Sequence, residues 1–234
     1  MGARLRSFHL GKESSMENSR GWLCFFLVMA LVFATGAAAW FIKPTEGVRL
    51  ALLAWQQLLF VAGGLLGSKG EHLKPANLKT AMQGLVSGVG LYLVNVLVGA
   101  LAFAVAAQFL GSETARGFVL EDRATVQMLV TSKKPFIALG ATLLVLVGAP
   151  LGEELFFRGL LMELLRERMG VKRAVFLAAL LFALLHFYTL QFVPVLISGM
   201  VLGLLLIRSG SILVPITAHF TVNALGLLAL LASL

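Results

Sequence analysis

The 234-residue chain is 59% hydrophobic and only 13% charged, with a mean hydropathy of +0.94. Because a soluble domain carries about 25% charged residues, this composition excludes a soluble globular protein and indicates a polytopic membrane protein. The formal net charge of +8 does not indicate nucleic-acid binding, since the basic residues lie between apolar runs and form no stripe with interleaved aromatic side chains. A single cysteine, Cys24, excludes an internal disulfide and a Cys-based metal site.

The chain begins with a polar, basic segment, residues 1–21, which precedes a first apolar run at residues 22–42. Met16, within the polar segment, is an alternative start. The three alanines 37–39 near the end of the run resemble a signal-peptidase site. The apolar residues continue beyond them to Ile42, however, and this favours an uncleaved helix.

Six further apolar runs approach or exceed the roughly 20 residues that a membrane-spanning helix needs. They cover residues 48–67, 81–110, 136–165, 174–187, 190–207 and 212–234, and the run at 174–187 is short. Residues 111–134 are polar and are predicted to form a loop. The sequence therefore predicts an all-α fold, a transmembrane helix bundle of about seven spans, with one helical domain over residues 22–234.

The distribution of basic residues predicts the orientation of the bundle. With the N-terminus inside, the inside segments carry about twice as many lysine and arginine residues as the outside segments. The positive-inside rule then predicts a cytoplasmic N-terminal segment, residues 1–21. The expected location is the inner membrane of a bacterium or an archaeon.

Three charged residues, Glu153, Glu154 and Arg158, lie within six positions of the fourth apolar run. Each ionisable side chain within a span costs at least about 2.5 kcal/mol, so such residues are retained for pairing or for function. Glu154 and Arg158 share a helix face at four-residue spacing, which predicts a structural ion pair. Glu153 is rotated from that face by roughly 100° and has no partner at this spacing within its own helix. Pro150 is predicted to free the carbonyl of Leu146 and to kink the span just before Glu153.

Other spans hold polar residues at about the same estimated depth as Glu153. These are His186 at the end of the fifth run, and His219 and Asn223 on one face of the seventh. Taken singly, His186 is as readily explained by hydrogen bonding between helices as by function, and Asn223 is better explained by such hydrogen bonding. Their joint occurrence at matching depth favours a functional site. The lone amides of the other spans, Gln56, Gln57, Asn95 and Gln108, are interpreted as hydrogen-bonding contacts between helices.

Three motifs carry a resemblance to a known family: Glu153-Glu154-xxx-Arg158, Phe182-xxx-His186 and His219-xxx-Asn223. They resemble, in the same order, the motifs of the CPBP family, which includes type II CAAX prenyl endopeptidases and bacteriocin-processing or abortive-infection-type proteins. The resemblance covers about residues 136–227, the predicted catalytic core.

The resemblance implies an intramembrane glutamate protease. Glu153 and His186 would activate water, while His219 and Asn223 would form the oxyanion site, and no cofactor would be needed. The expected partners are membrane lipid and a peptide or protein substrate, either lipidated or membrane-anchored.

Three alternatives remain open at the level of sequence. The first is a zinc-dependent protease that uses Glu153, His186 and His219 as metal ligands, although the chain contains no His-Glu-xx-His motif. The second is a proton-coupled transporter, which the absence of an internal repeat disfavours. The third is a scaffold or immunity protein without protease activity, because motifs indicate a capacity and not its use.

Overall fold

The computed structural model describes residues 2–70, 72–73 and 77–234, with side chains from Met16 onward. The described residues form eight helices and no strand. The helices are α1 (Gly2–Ile42), α2 (Glu46–Gly67), α3 (Leu78–Leu110), α4 (Ser112–Val130), α5 (Pro135–Met169), α6 (Val171–Leu184), α7 (Phe192–Ser209) and α8 (Leu213–Ala232). Within α5, two stretches have π-helical hydrogen bonding, Leu144–Gly148 and Glu154–Leu161.

Six helices are long and apolar enough to cross a membrane, namely α1 from Met16 onward, α2, α3, α5, α7 and α8. The predicted fifth run lies in α6, which has only 14 residues. At 1.5 Å per residue this helix is about 21 Å long, less than the roughly 30 Å of the hydrocarbon core. The prediction of an all-α bundle with about seven spans is confirmed, and the chain is an integral, multi-pass membrane protein.

The polar N-terminal segment is continuous with the first span, because α1 begins at Gly2. The side chains of Arg4, Arg6 and Lys12, on which the predicted orientation partly depends, lie outside the described residues, as does Lys74. Lys69, after α2, forms an ion pair with Glu167 near the end of α5, and this hydrogen bond raises the pKa of Lys69. The segment after α2 and the last turn of α5 therefore lie at the same end of the bundle.

The prediction of a loop at residues 111–134 is wrong, because most of this segment forms helix α4. The helix follows Gly111, whose φ of +87° ends α3 and suits a residue without a Cβ. Its charged side chains are largely exposed, whereas Ala115, Leu129 and Val130 are buried. The polar composition of this segment indicates a loop, but the apolar residues of α4 lie on a buried face, as in an amphipathic helix.

Glycines allow several helices to approach closely, as their four-residue spacing predicts. A Cβ at Gly88 of α3 would lie 2.6 Å from the carbonyl oxygen of Ala218 in α8. A Cβ at Gly199 of α7 would lie 2.8 Å from the Cβ of Ala179 in α6. These contacts hold α3 against α8 and α6 against α7.

A series of phenylalanine contacts crosses the core toward the polar residues of the site. Phe156 of α5 stacks on Phe25 and on Phe60, with ring centroids 5.5 Å and 4.7 Å apart. Phe157 meets Phe182 of α6 edge to face at 5.2 Å. Such pairs contribute about 0.5–1.5 kcal/mol each beyond the area that they bury. They fix α1, α2 and α6 against the part of α5 that follows Glu153.

Candidate active site

Glu153 lies in the short α-helical stretch of α5 between its two π-helical stretches, and it is buried. Its carboxylate is contacted from two other helices. The side-chain amide of Gln57 in α2 donates a hydrogen bond to Oε1, with an Nε2–Oε1 distance of 3.1 Å. Nε2 of His219 in α8 lies 3.9 Å from the other oxygen, Oε2. The glutamate without a partner in its own helix is thus held by helices distant in sequence.

Glu154 and Arg158 form an ion pair within the second π-helical stretch, with Nη1 of Arg158 3.0 Å from Oε1 of Glu154. Both are buried, with relative exposures of 0% and 2%. Arg158 also donates to the carbonyl of Gly199 at 3.2 Å, and its guanidinium lies 4.3 Å from the ring centre of Phe182. These contacts from α6 and α7 fix the arginine in one position.

His219 lies between the two glutamates. Its Nδ1 is 2.8 Å from Oε1 of Glu154, the same oxygen that accepts from Arg158. Nδ1–H donates to this carboxylate, so Glu154 orients the imidazole and Nε2 faces Glu153. Sequence reasoning gave Glu154 only the arginine as a partner, whereas the structure gives it a second one.

His186 follows α6 and is half-buried. Its Nδ1 lies 2.7 Å from the carbonyl oxygen of Phe182, and the two rings meet at 4.5 Å. Phe182 also contacts the ring of His219, at 6.1 Å. Within the described residues, no hydrogen bond or ion pair joins His186 to Glu153. The structure therefore brings His186 to the site through Phe182.

Asn223 contacts the backbone of α5 before Glu153. Its side-chain amide donates to the carbonyl of Val145 at 2.9 Å. The N–H of Ala149 bonds to the carbonyl of Leu144, a five-residue step typical of a π-helix. At the next residue, the same five-residue step would pair an N–H at position 150 with the carbonyl of Val145, whereas a regular α-helix would pair it with the carbonyl of Leu146. Pro150 has no N–H, so the carbonyl of Val145 is the one left without a backbone donor. Asn223 supplies a donor to that carbonyl, so the proposed oxyanion donor also stabilises the irregular stretch.

Asp122 is a residue near the site that sequence reasoning missed. From α4 its carboxylate accepts hydrogen bonds from the backbone N–H groups of Thr189, Leu190 and Gln191, at 2.9, 3.1 and 3.0 Å. These residues join His186 to α7. The polar composition of residues 111–134 predicts a loop, and nothing in the sequence indicates this contact.

Asp122→Ala is expected to lower the free energy of unfolding by about 1–3 kcal/mol, because three N–H groups lose a charged acceptor. Glu121→Ala is the matched control, because Glu121 is next to Asp122 in sequence and its carboxyl group is exposed. Its free energy of unfolding is expected to change by no more than about 0.5 kcal/mol. Thermal unfolding of both variants in detergent measures the difference. Equal stabilities would contradict the role of Asp122.

A zinc site needs several ligating side chains arranged around one point. Among the described residues, no group of three or more His, Cys, Asp and Glu side chains is arranged to hold a metal ion. A zinc site formed by Glu153, His186 and His219 stays a hypothesis, which zinc analysis of the purified protein tests.

Residues 135–225 match a protein family described as Type II CAAX prenyl endopeptidase Rce1-like. No curated protein and no solved structure matches the chain. The matched segment runs from the start of α5 into α8 and contains all three motifs. The resemblance recognised from the motifs is confirmed by this match, which makes residues 135–225 similar to the Rce1-like type II CAAX prenyl endopeptidases.

Proposed function

We propose that the protein is an intramembrane glutamate endopeptidase in which Glu153 activates the attacking water. The observation that carries this proposal is the position of the Glu153 carboxylate. One oxygen is held by Gln57, and the other faces Nε2 of His219 at 3.9 Å. This distance is too long for a direct hydrogen bond, and it lets one reactant between the two groups contact both of them. The family match supports a protease.

In the proposed reaction Glu153 takes a proton from water as the water oxygen attacks the carbonyl carbon of the scissile peptide bond. His186 assists in holding that water. The carbonyl oxygen becomes an oxyanion, and Glu153 then passes the proton to the leaving amine as the C–N bond breaks. Every atom and proton is accounted for by water and Glu153, so no cofactor is required.

His219 and Asn223 are proposed to stabilise the oxyanion. A protonated His219 would donate from both ring nitrogens, with Nδ1 bound to Glu154 and Nε2 available to the substrate. Asn223 has two amide hydrogens, and one bonds to Val145, so the other remains for an oxyanion. Glu154 and Arg158 act by holding His219 and α5 in place, and not by contacting substrate.

The proposed substrate is a peptide or protein held at the membrane. The site lies among helices that span the bilayer, and the family description points to a prenylated CAAX tail as the first substrate to test. We place the protein in the inner membrane of a bacterium or an archaeon with a cytoplasmic N-terminus, following the distribution of basic residues.

The test is cleavage of an internally quenched, farnesylated CAAX peptide by the purified full-length chain in liposomes, with zinc analysis and a membrane-permeant chelator. We expect far less than one equivalent of zinc and no inhibition by the chelator. His219→Ala or Asn223→Ala should each slow turnover about 10²- to 10³-fold, the usual effect of losing one oxyanion donor. His186→Ala should be closer to complete loss.

Two results would contradict this proposal. Stoichiometric zinc, with activity restored only by added metal, would reassign Glu153, His186 and His219 as metal ligands. The second result is an absence of cleavage in two measurements. If the CAAX peptide is not cleaved, and if mass spectrometry finds the same peptides in membranes with the parent chain and with Glu153→Ala, a scaffold or a transporter is favoured.

A further inference from the structure

Gln57 lies in α2, in the part of the chain that the family match does not cover. Its side chain is buried, and its Nε2 donates to Oε1 of Glu153 at 3.1 Å. The neighbouring Gln56 is only half-buried, and no hydrogen bond of its side chain occurs among the described residues. Of these two adjacent amides, only Gln57 contacts the predicted general base.

The backbone of α5 is shaped to receive this amide. A Cβ at Gly152 would lie 2.5 Å from Oε1 of Gln57 and 3.0 Å from its backbone carbonyl oxygen. A Cβ at Gly148, one turn earlier, would lie 4.0 Å from the Cγ of Gln57. At Gly152 in particular, any larger side chain would displace the amide from Glu153.

The hydrogen bond between Gln57 and Glu153 is accompanied by a loss of stability, because it leaves the other polar atom of the Gln57 amide buried and unpaired within the described part of the chain. Oε1 of Gln57 is buried and has no hydrogen-bond partner among the described residues. A buried acceptor without a partner lowers stability, and such groups in proteins call for an explanation. Among the described residues, the hydrogen bond to Glu153 is the one that the Gln57 amide forms.

We propose that Gln57 is a positioning residue for Glu153, and that Gly152 provides the space that the amide needs. The hydrogen bond to Oε1 fixes the rotation of the carboxyl group, so that Oε2 faces Nε2 of His219. This inference rests on the proposed role of Glu153 as general base. Gln57 acts on the reaction through Glu153 and does not contact the substrate.

The kinetic test uses Gln57→Met, which keeps the length of the side chain and removes the donor, with Gln56→Met as the matched control. We expect kcat on the farnesylated peptide to fall about 10- to 100-fold for Gln57→Met, with KM changed less than about twofold. Gln56→Met should retain the parent kcat. Gly152→Ala should resemble Gln57→Met, and the double variant should be no slower than either one, because both changes remove the same contact.

A spectroscopic test does not depend on turnover. The infrared carboxylate band of Glu153, identified by its loss in Glu153→Gln, should shift in Gln57→Met and stay in place in Gln56→Met. An unshifted band, or a parent kcat in Gln57→Met, would overturn the inference. If Glu153→Gln is inactive while Gln57→Met is unaffected, only this inference fails. If Glu153→Gln is active, the proposed function itself fails.

Discussion

Glu153→Gln is expected to reduce peptide cleavage by about 10²- to 10⁴-fold, the usual contribution of a general base. The amide has nearly the same shape as the carboxyl group and can still accept the hydrogen bond from Gln57, but it cannot take a proton from water. Membrane insertion and thermal stability should therefore change little. Initial rates on the farnesylated peptide and unfolding in detergent measure the two effects separately.

The matched control is Glu163→Gln, which changes another buried glutamate of α5 at a distance from the site. Glu163 lies near Lys69 and His72, and its Oε1 accepts from the backbone N–H of Lys69 at 3.2 Å. This variant should cleave at nearly the parent rate. Turnover retained in Glu153→Gln would refute the glutamate mechanism, whatever the control shows.

Arg158→Leu is expected to lower the free energy of unfolding by about 3–5 kcal/mol, because it leaves the carboxylate of Glu154 buried without its cation. The substitution also removes the donor to Gly199 and the contact with the ring of Phe182. Chemical unfolding in detergent measures this loss of stability, and the expression level in membranes is a second measurement.

A double-mutant cycle separates the ion pair from these other contacts. Glu154→Leu combined with Arg158→Leu should recover part of the loss, since no charge is then left unpaired. Recovery should be incomplete, because Nδ1 of His219 also loses its acceptor. If the two single changes add without coupling, Glu154 and Arg158 do not stabilise each other.

The sequence predicted the helical class and the set of polar residues, because charged and imidazole groups within apolar runs are rare and stand out. It also predicted that Glu154 and Arg158 share a helix face. It could not predict the contact of Gln57 with Glu153. A lone amide in a span has the same sequence signature whether it joins two helices or orients a catalytic group. The distinction depends on which helices are neighbours.

Helix α4 and the backbone before Glu153 show two other limits of the sequence. The charged residues of α4 indicated a loop because its buried apolar residues are few and widely spaced. Pro150 predicted an irregular backbone, but the carbonyl it leaves unpaired depends on the local register. The structure selects Val145, with Asn223 as its donor.

The π-helical stretches of α5 also determine which way Glu153 points. Each residue added to a regular helix turns everything after it by about 100° about the helix axis. A wider turn absorbs one extra residue and keeps the helix that follows in phase. If residues 144–148 wound as a regular α-helix with none of them removed, the Glu153 carboxylate would turn away from α2 and α8, although every motif residue would still be present. A search for the three motifs alone would classify such a chain as an intact protease, so the winding of residues 144–148 is as informative as the motifs themselves.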